Sequence, residues 1–220
     1  MVKTILTKRQ QLLLKLLFSE NYIYKNFYLT GGTALSEYYL HHRLSEDLDL
    51  FSFEEVNIKG VEIIFQNIKK KIKFHKIVYQ NTFNRNIFFL HFDDEVLKTE
   101  FTYYPFEQIE KPKNIENIKV DSLIDMAVNK TDVIVTHPRS RDFIDLYLII
   151  KLKKWNFSRL LKDSRIKFDT YIDPLQITQQ LLQSTLVKDY PRMIILLENK
   201  EWQNFWLEEA KKIKNQILKT

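Results

Sequence analysis

Two adjacent glycines, Gly31 and Gly32, constrain this chain more than any other feature, because its 220 residues hold only three glycines in all. A chain so sparing with glycine places a pair where the backbone must turn tightly or come close to another group. Around the pair, residues 27–53 read FYLTGGTALSEYYLHHRLSEDLDLFSF. The pattern predicts a short apolar strand, a Gly-Gly turn, an amphipathic helix over about 33–43 and a second strand over about 47–53. On that second strand Asp47 and Asp49 share one face while Leu48 and Leu50 point to the core, since side chains alternate with period two. The N–H groups of the turn and of the helix start, with the Thr33 hydroxyl, suit an anion. Paired carboxylates suit a hard divalent cation.

The composition fits a folded protein of one large or two small domains, with 45% apolar and 14% aromatic residues. No cysteine is present, which excludes disulfides and thiolate chemistry. The N-terminal stretch lacks signal-peptide form and no apolar run is long enough to span a bilayer, so a cytoplasmic protein with no membrane partner is expected. The net charge of +6 favours a polyanionic partner. Lys59, Lys69, Lys70, Lys71, Lys73 and Lys76 cluster against a single acid, Glu62. They read either as a solvated helix face or as a surface that meets RNA or phosphate.

Leucine spacing predicts a helix over 7–22, and an apolar stripe of Val61, Ile64, Phe65 and Ile68 predicts another over 56–71. Runs at 74–79, 87–92 and 96–103 read as strands joined by short turns, hence antiparallel, with a last extended piece at 116–120. Beyond that the pattern is helical: 121–134, 139–153, 157–166, 174–186 and 199–218, with Asp121 and Asn156 as N-caps. The expected architecture is therefore α+β (α/β), a mixed sheet with flanking helices over 1–120 followed by a helical bundle over 121–220. Trp202, Phe205 and Trp206 are expected in the core of that bundle, with a base-stacking platform as the alternative.

Three further groups carry candidate chemistry. Glu100 lies on the strand 96–103 with Lys98 and Thr102 on its side, either completing an acid triad with Asp47 and Asp49 or facing solvent. Asp142 and Asp145 are three apart on one helix face, as functional acids or as a surface ion pair with Arg139 or Arg141. Arg43 and Ser45 flank the acid pair, where Arg43 contacts phosphate or only pins the loop. His41 and His42 flank the helix end and carry no catalysis.

GGTAL (31–35), the run RLSEDLDLF from Arg43 to Phe51, and RDFIDL (141–146) together resemble the nucleotidyltransferases of the AbiEii/AbiGii-type toxin family, within the DNA polymerase β-like superfamily. The resemblance covers about residues 27–150. It implies a nucleotidyltransferase-fold sheet and an active site completed by the helical domain. Gly31, Gly32 and Thr33 would hold the triphosphate, and Asp47, Asp49 and Glu100 would bind one or two Mg²⁺ ions. Lys98 matches the family's second motif, Asp125 with Lys130 the third, and Asp142 or Asp145 the fourth, with Lys130 contacting the triphosphate. A Glu stands at position 100 where the superfamily more usually has Asp. The implied activity is transfer of an NMP from an NTP to an acceptor, RNA or the 3′ end of tRNA, by the toxin of a toxin–antitoxin or abortive-infection system with a separate antitoxin. A small-molecule acceptor, as in antibiotic-modifying enzymes, and a silent nucleotide- or partner-binding module are the alternatives.

Overall fold

The computed structural model describes residues 4–217, with side chains to 214. The chain forms two compact units, Met1–Ser122 and Leu123–Thr220.

The first unit opens with α1 (Lys8–Phe18) and α2 (Asn21–Asn26). The single helix expected there is divided, because the chain leaves helical hydrogen bonding at Ser19 and restarts after an extended Glu20. Thr7 and Gln10 cap α1 reciprocally: the Thr7 hydroxyl accepts from Gln10 N–H at 3.1 Å and Gln10 Oε1 accepts from Thr7 N–H at 2.8 Å. Then come β1 (Tyr28–Thr30), the short α3 (Gly31–Leu35), β2 (Leu48–Ser52), α4 (Ile58–Ile72), β3 (Lys76–Thr82), β4 (Arg85–His91), β5 (Val96–Tyr103), β6 (Lys113–Ile115) and β7 (Ile118–Val120).

The seven strands form one mixed sheet in the order β3-β4-β5-β2-β1-β7-β6. β3, β4 and β5 pair antiparallel as the short turns demand, while β2 lies parallel to β5 and antiparallel to β1. The last extended piece is a hairpin, β6 with β7, turned by Glu116 and Asn117, both at positive φ. Val61, Ile64, Phe65 and Ile68 of α4 are buried as the stripe predicts, and Phe65 meets Phe88 of β4 and Phe101 of β5 at ring distances of 5.0 and 6.0 Å. One face of the sheet is thus packed on α4. Lys69, Lys70 and Lys71 lie in the last turn of α4, where cations complement the carbonyl end of a helix.

The second unit holds α5 (Leu123–Thr136), α6 (Ser140–Lys153), α7 (Phe157–Phe168), α8 (Pro174–Leu182) and α9 (Asn199–Ile217), close to the expected bounds. The expected end of the last helix at 218 lies outside the described residues. Asn156 caps α7 by accepting from Ser158 N–H, and Asp173 caps α8 ahead of Pro174. Trp202 and Trp206 are fully buried around Phe143, and the Trp206 indole donates to the Phe143 carbonyl at 3.1 Å. Their expected role in the core holds, with Phe205 edge-on to Tyr147 beside them.

Candidate active site

The register of three strands builds the site. Thr30 on β1 stands opposite Asp49 on β2, and Asp49 stands beside Glu100 on β5. Leu48, Leu50 and Phe101 alternate to the packed face, so Asp49, Glu100 and Lys98 share the other one. Asp47 lies one residue before β2 rather than within it.

The two glycines serve two different close approaches. Gly31 has φ +75°, and a Cβ there would overlap the Asp49 carboxylate. The backbone therefore crosses directly over that acid, in a conformation that only glycine adopts easily. A Cβ on Gly32 would stand 2.5 Å from Arg43 Nη2 and 3.0 Å from Ser45 Oγ, so the second glycine makes room for the buried Arg43 guanidinium. Arg43 also donates from Nη1 to the Leu44 carbonyl at 3.1 Å, which ties it to its own loop.

After α3 the helix widens into a single π turn, Ser36–Leu40, closed by His41 N–H donating to the Ser36 carbonyl at 2.8 Å. His41 ends it in the left-handed region and His42 is fully buried beside Ser36, consistent with flanking rather than catalytic places.

Thr33 departs from expectation. It is fully buried and its hydroxyl donates to the Asp47 carbonyl, so it anchors the entry to β2 instead of facing a phosphate. Gln10 supports the same loop from α1, donating to the Glu46 carbonyl at 2.9 Å.

The acids are balanced unequally. Lys98 Nζ donates to Asp47 Oδ2 at 2.7 Å. Arg85, at the start of β4, grips Glu100 with both Nε and Nη2 at 2.6 Å, and Thr102 Oγ1 donates to Glu100 Oε1 at 2.7 Å. Burial alone would raise the Glu100 carboxyl, but Arg85 and Thr102 hold it below its ordinary value. Among the described residues no such partner meets either oxygen of Asp49; burial first, then the charges of Glu100 and Asp47, push it up to about 7. Among the described residues, the charges that act on Asp49 are two acids, Glu100 and Asp47, and two cations, Lys98 and Arg85, so with Asp49 itself ionised the group is one positive charge short.

This pattern tests the implied cation. Asp47 and Asp49 offer hard oxygen donors, and the raised Asp49 carboxyl marks the place where positive charge is wanted. Glu100 is already balanced on both oxygens by Arg85 and Thr102, so it does not share the deficit of positive charge. Among the described residues no three acids or histidines stand together as a metal cluster, so the expected Asp47–Asp49–Glu100 triad is not assembled. The residues present fit a cation held by Asp47 and Asp49.

In the second unit, Lys130 Nζ lies 2.8 Å from both Asp142 Oδ1 and Asp145 Oδ2, and Arg139 Nε lies 2.8 Å from Asp142 Oδ2. Both aspartates are buried, which replaces the surface ion pair considered from sequence with an interior network. Burial would raise the Asp142 carboxyl, but Lys130 and Arg139 hold it below its ordinary value. Ser140 at the start of α6 is fixed by Asp189, whose carboxylate accepts its N–H at 2.9 Å. Asp125 Oδ1 accepts from Lys167 Nζ of α7 at 2.7 Å.

Sequence reasoning missed Arg85 and Gln10, and gave Thr102 a place beside Glu100 but no role. Thr102 shares the period-two face of Glu100 and was visible; Arg85 depends on the register of β4 against β5, which no local pattern encodes.

A glycine turn laid over an acid on the open face of a mixed sheet defines the class, a nucleotidyltransferase fold. JHP933 from Helicobacter pylori superposes with a TM-score of 0.59 at 20% identity, covering 96% of this chain and 91% of that one. MenT4, a nucleotidyltransferase toxin from Mycobacterium tuberculosis H37Rv, superposes with a TM-score of 0.56 at 16% identity, covering 94% and 82%. The sequence is more specific: residues 13–210 match the family described as nucleotidyl transferase AbiEii toxin, Type IV TA system, and the chain belongs to that family. An uncharacterized protein of Aquifex aeolicus (strain VF5), aq_aa25, is 30% identical over 148 residues, 66% of this chain and 68% of that protein. Among the described residues no helix is long and apolar enough to cross a membrane.

Proposed function

We propose that this nucleotidyltransferase moves an NMP from an NTP onto the 3′ end of an RNA, with tRNA as the acceptor class, as a cytoplasmic toxin opposed by a separate antitoxin. The observation that carries the chemistry is the raised Asp49 carboxyl beneath Gly31, in a site one positive charge short of balance. Asp47 and Asp49 would hold Mg²⁺, which when bound neutralises triphosphate charge and stabilises the charge that develops during in-line transfer.

The chain's own residues do the positioning. Gly31 brings backbone directly over Asp49 and Gly32 brings it against Arg43 and Ser45, and the N–H groups of this turn would meet the triphosphate. Lys98 holds Asp47 in orientation and adds positive charge to the same face. Arg43 and Ser45, packed against Gly32, fix the loop that delivers Asp47. In the second unit Lys130, Asp142 and Asp145 form a buried charged cluster, which the family resemblance assigns to nucleotide binding. The basic balance of the whole chain suits an RNA acceptor.

The test incubates purified protein with each labelled NTP, Mg²⁺ and total RNA, beside Asp49→Asn. Label should enter the small-RNA fraction with wild type alone. Absence of label in any RNA with all four NTPs would sink the RNA-modifying reading.

A further inference from the structure

The β3–β4 hairpin carries two anomalies that the cation site does not use. Its two-residue turn is Phe83–Asn84, between the paired residues Thr82 and Arg85. Phe83 has φ +52°, and is 94% exposed. A two-residue turn with positive φ at its first position ordinarily takes glycine there. A bulky aromatic in that place is an outlier of backbone and of exposure at once. Neither folding nor solubility calls for it.

Arg85 follows immediately. Its Nε and Nη2 are spent on Glu100, which is 3% exposed, while the Arg85 side chain itself remains 51% exposed. A guanidinium has five N–H donors in a fixed fork, so gripping one carboxylate with two of them orients the rest outward. Glu100 in turn is the strand neighbour of Asp49. The hairpin tip thus presents a flat aromatic and an oriented cation, anchored one strand from the reacting centre.

We propose that Phe83 and Arg85 form the contact for the single-stranded 3′ end of the acceptor RNA, Phe83 stacking on a base and Arg85 binding a backbone phosphate. Glu100 is the positioning residue for Arg85 and not a ligand of the cation. This rests on the RNA reading above and names the element that recognises the strand. Stacking on exposed aromatics tolerates any base, and a single phosphate contact adds affinity without sequence preference, so the tip selects a strand with a free end rather than a sequence.

The test measures binding of a fluorescein-labelled single-stranded RNA oligonucleotide by anisotropy over a range of salt, together with NTP binding and melting temperature. Phe83→Gly should weaken RNA binding about tenfold while raising the melting temperature, because glycine accepts the positive φ. A purely structural Phe83 would give the opposite thermal shift and unchanged RNA binding. Arg85→Ala alone would orphan a buried carboxylate, so the measured variant is Arg85→Ala/Glu100→Gln. It should weaken RNA binding and reduce the slope of log K against log salt by about 0.7, one phosphate contact on a single strand, with NTP affinity unchanged. Mn²⁺ binding followed by electron paramagnetic resonance should be retained in Glu100→Gln and lost in Asp49→Asn.

RNA affinity and salt slope equal to wild type in both hairpin variants would overturn the proposal and leave the transferase reading standing. Loss of Mn²⁺ in Glu100→Gln would restore that acid to the cation and overturn its positioning role. Wild-type protein that binds no RNA would overturn the RNA acceptor and this contact together, while Mn²⁺ binding at Asp49 would still stand.

Discussion

The two units bury acids in opposite ways. In the second, Asp125, Asp142 and Asp145 meet Lys167, Lys130 and Arg139, three carboxylates against three cations, and Asp142 stays ionised below its ordinary range. In the first, among the described residues, Asp47 meets Lys98 and Glu100 meets Arg85, and Asp49 is driven up to about 7. A balanced interior network holds helices in register; an unbalanced one is stable only with a proton or a cation added. The deficit of one charge, more than the number of acids, separates the candidate site of the first unit from the network of the second.

Breaking each side of this comparison should give opposite results. Asp49→Asn removes the acid that carries the imbalance. Transfer should fall by about a thousandfold or more, the several kcal/mol of transition-state stabilisation lost with a cation. Thermal stability in chelator should be retained or raised, as read by calorimetry. A destabilised Asp49→Asn would mean that the acid is structural.

Lys130→Met does the reverse. It leaves Asp142 and Asp145 buried without Lys130 between them, and urea denaturation should show a loss of about 3–5 kcal/mol. A variant as stable as wild type would show that the network is hydrated and loose. Gly31→Ala should lose about 1–3 kcal/mol from its positive φ and its overlap with Asp49, with transfer impaired alongside. Normal activity in that variant would separate the glycine turn from the acid.

The smallest effect is a pH trend in cation-free buffer. The Asp49 carboxyl moves from 3.8 in the unfolded chain to about 7 in the fold, so the native state binds more protons between those values. Its contribution to stability is present below about pH 4 and is lost as pH rises through about 7. Asp49→Asn should flatten that component of the stability profile, and saturating Mg²⁺ should do so in wild type.

Periodicity and glycine scarcity made much of this legible. The alternation around Asp47 and Asp49, the apolar stripe of α4 and the short turns between β3, β4 and β5 are local patterns, and the elements lie near their expected places. What was hidden is tertiary. The π turn and the break at Ser19 leave no strong residue signal. Which cation meets which acid depended on strand register for Arg85 and Glu100, and on helix packing for Lys167 and Asp125. The triad expected from three correctly placed acids failed for that reason: Glu100 sits beside Asp49 as anticipated, but an arginine from the next strand already holds it.

A calorimetric titration of Mg²⁺ into cation-free protein near pH 6, repeated in buffers of different ionisation enthalpy, tests the charge deficit most directly. With the Asp49 carboxyl at about 7, binding in wild type should release close to one proton per cation, and Asp49→Asn should neither bind nor release one. Cation binding of equal strength in Asp49→Asn, or binding to wild type with no proton released, would contradict the account.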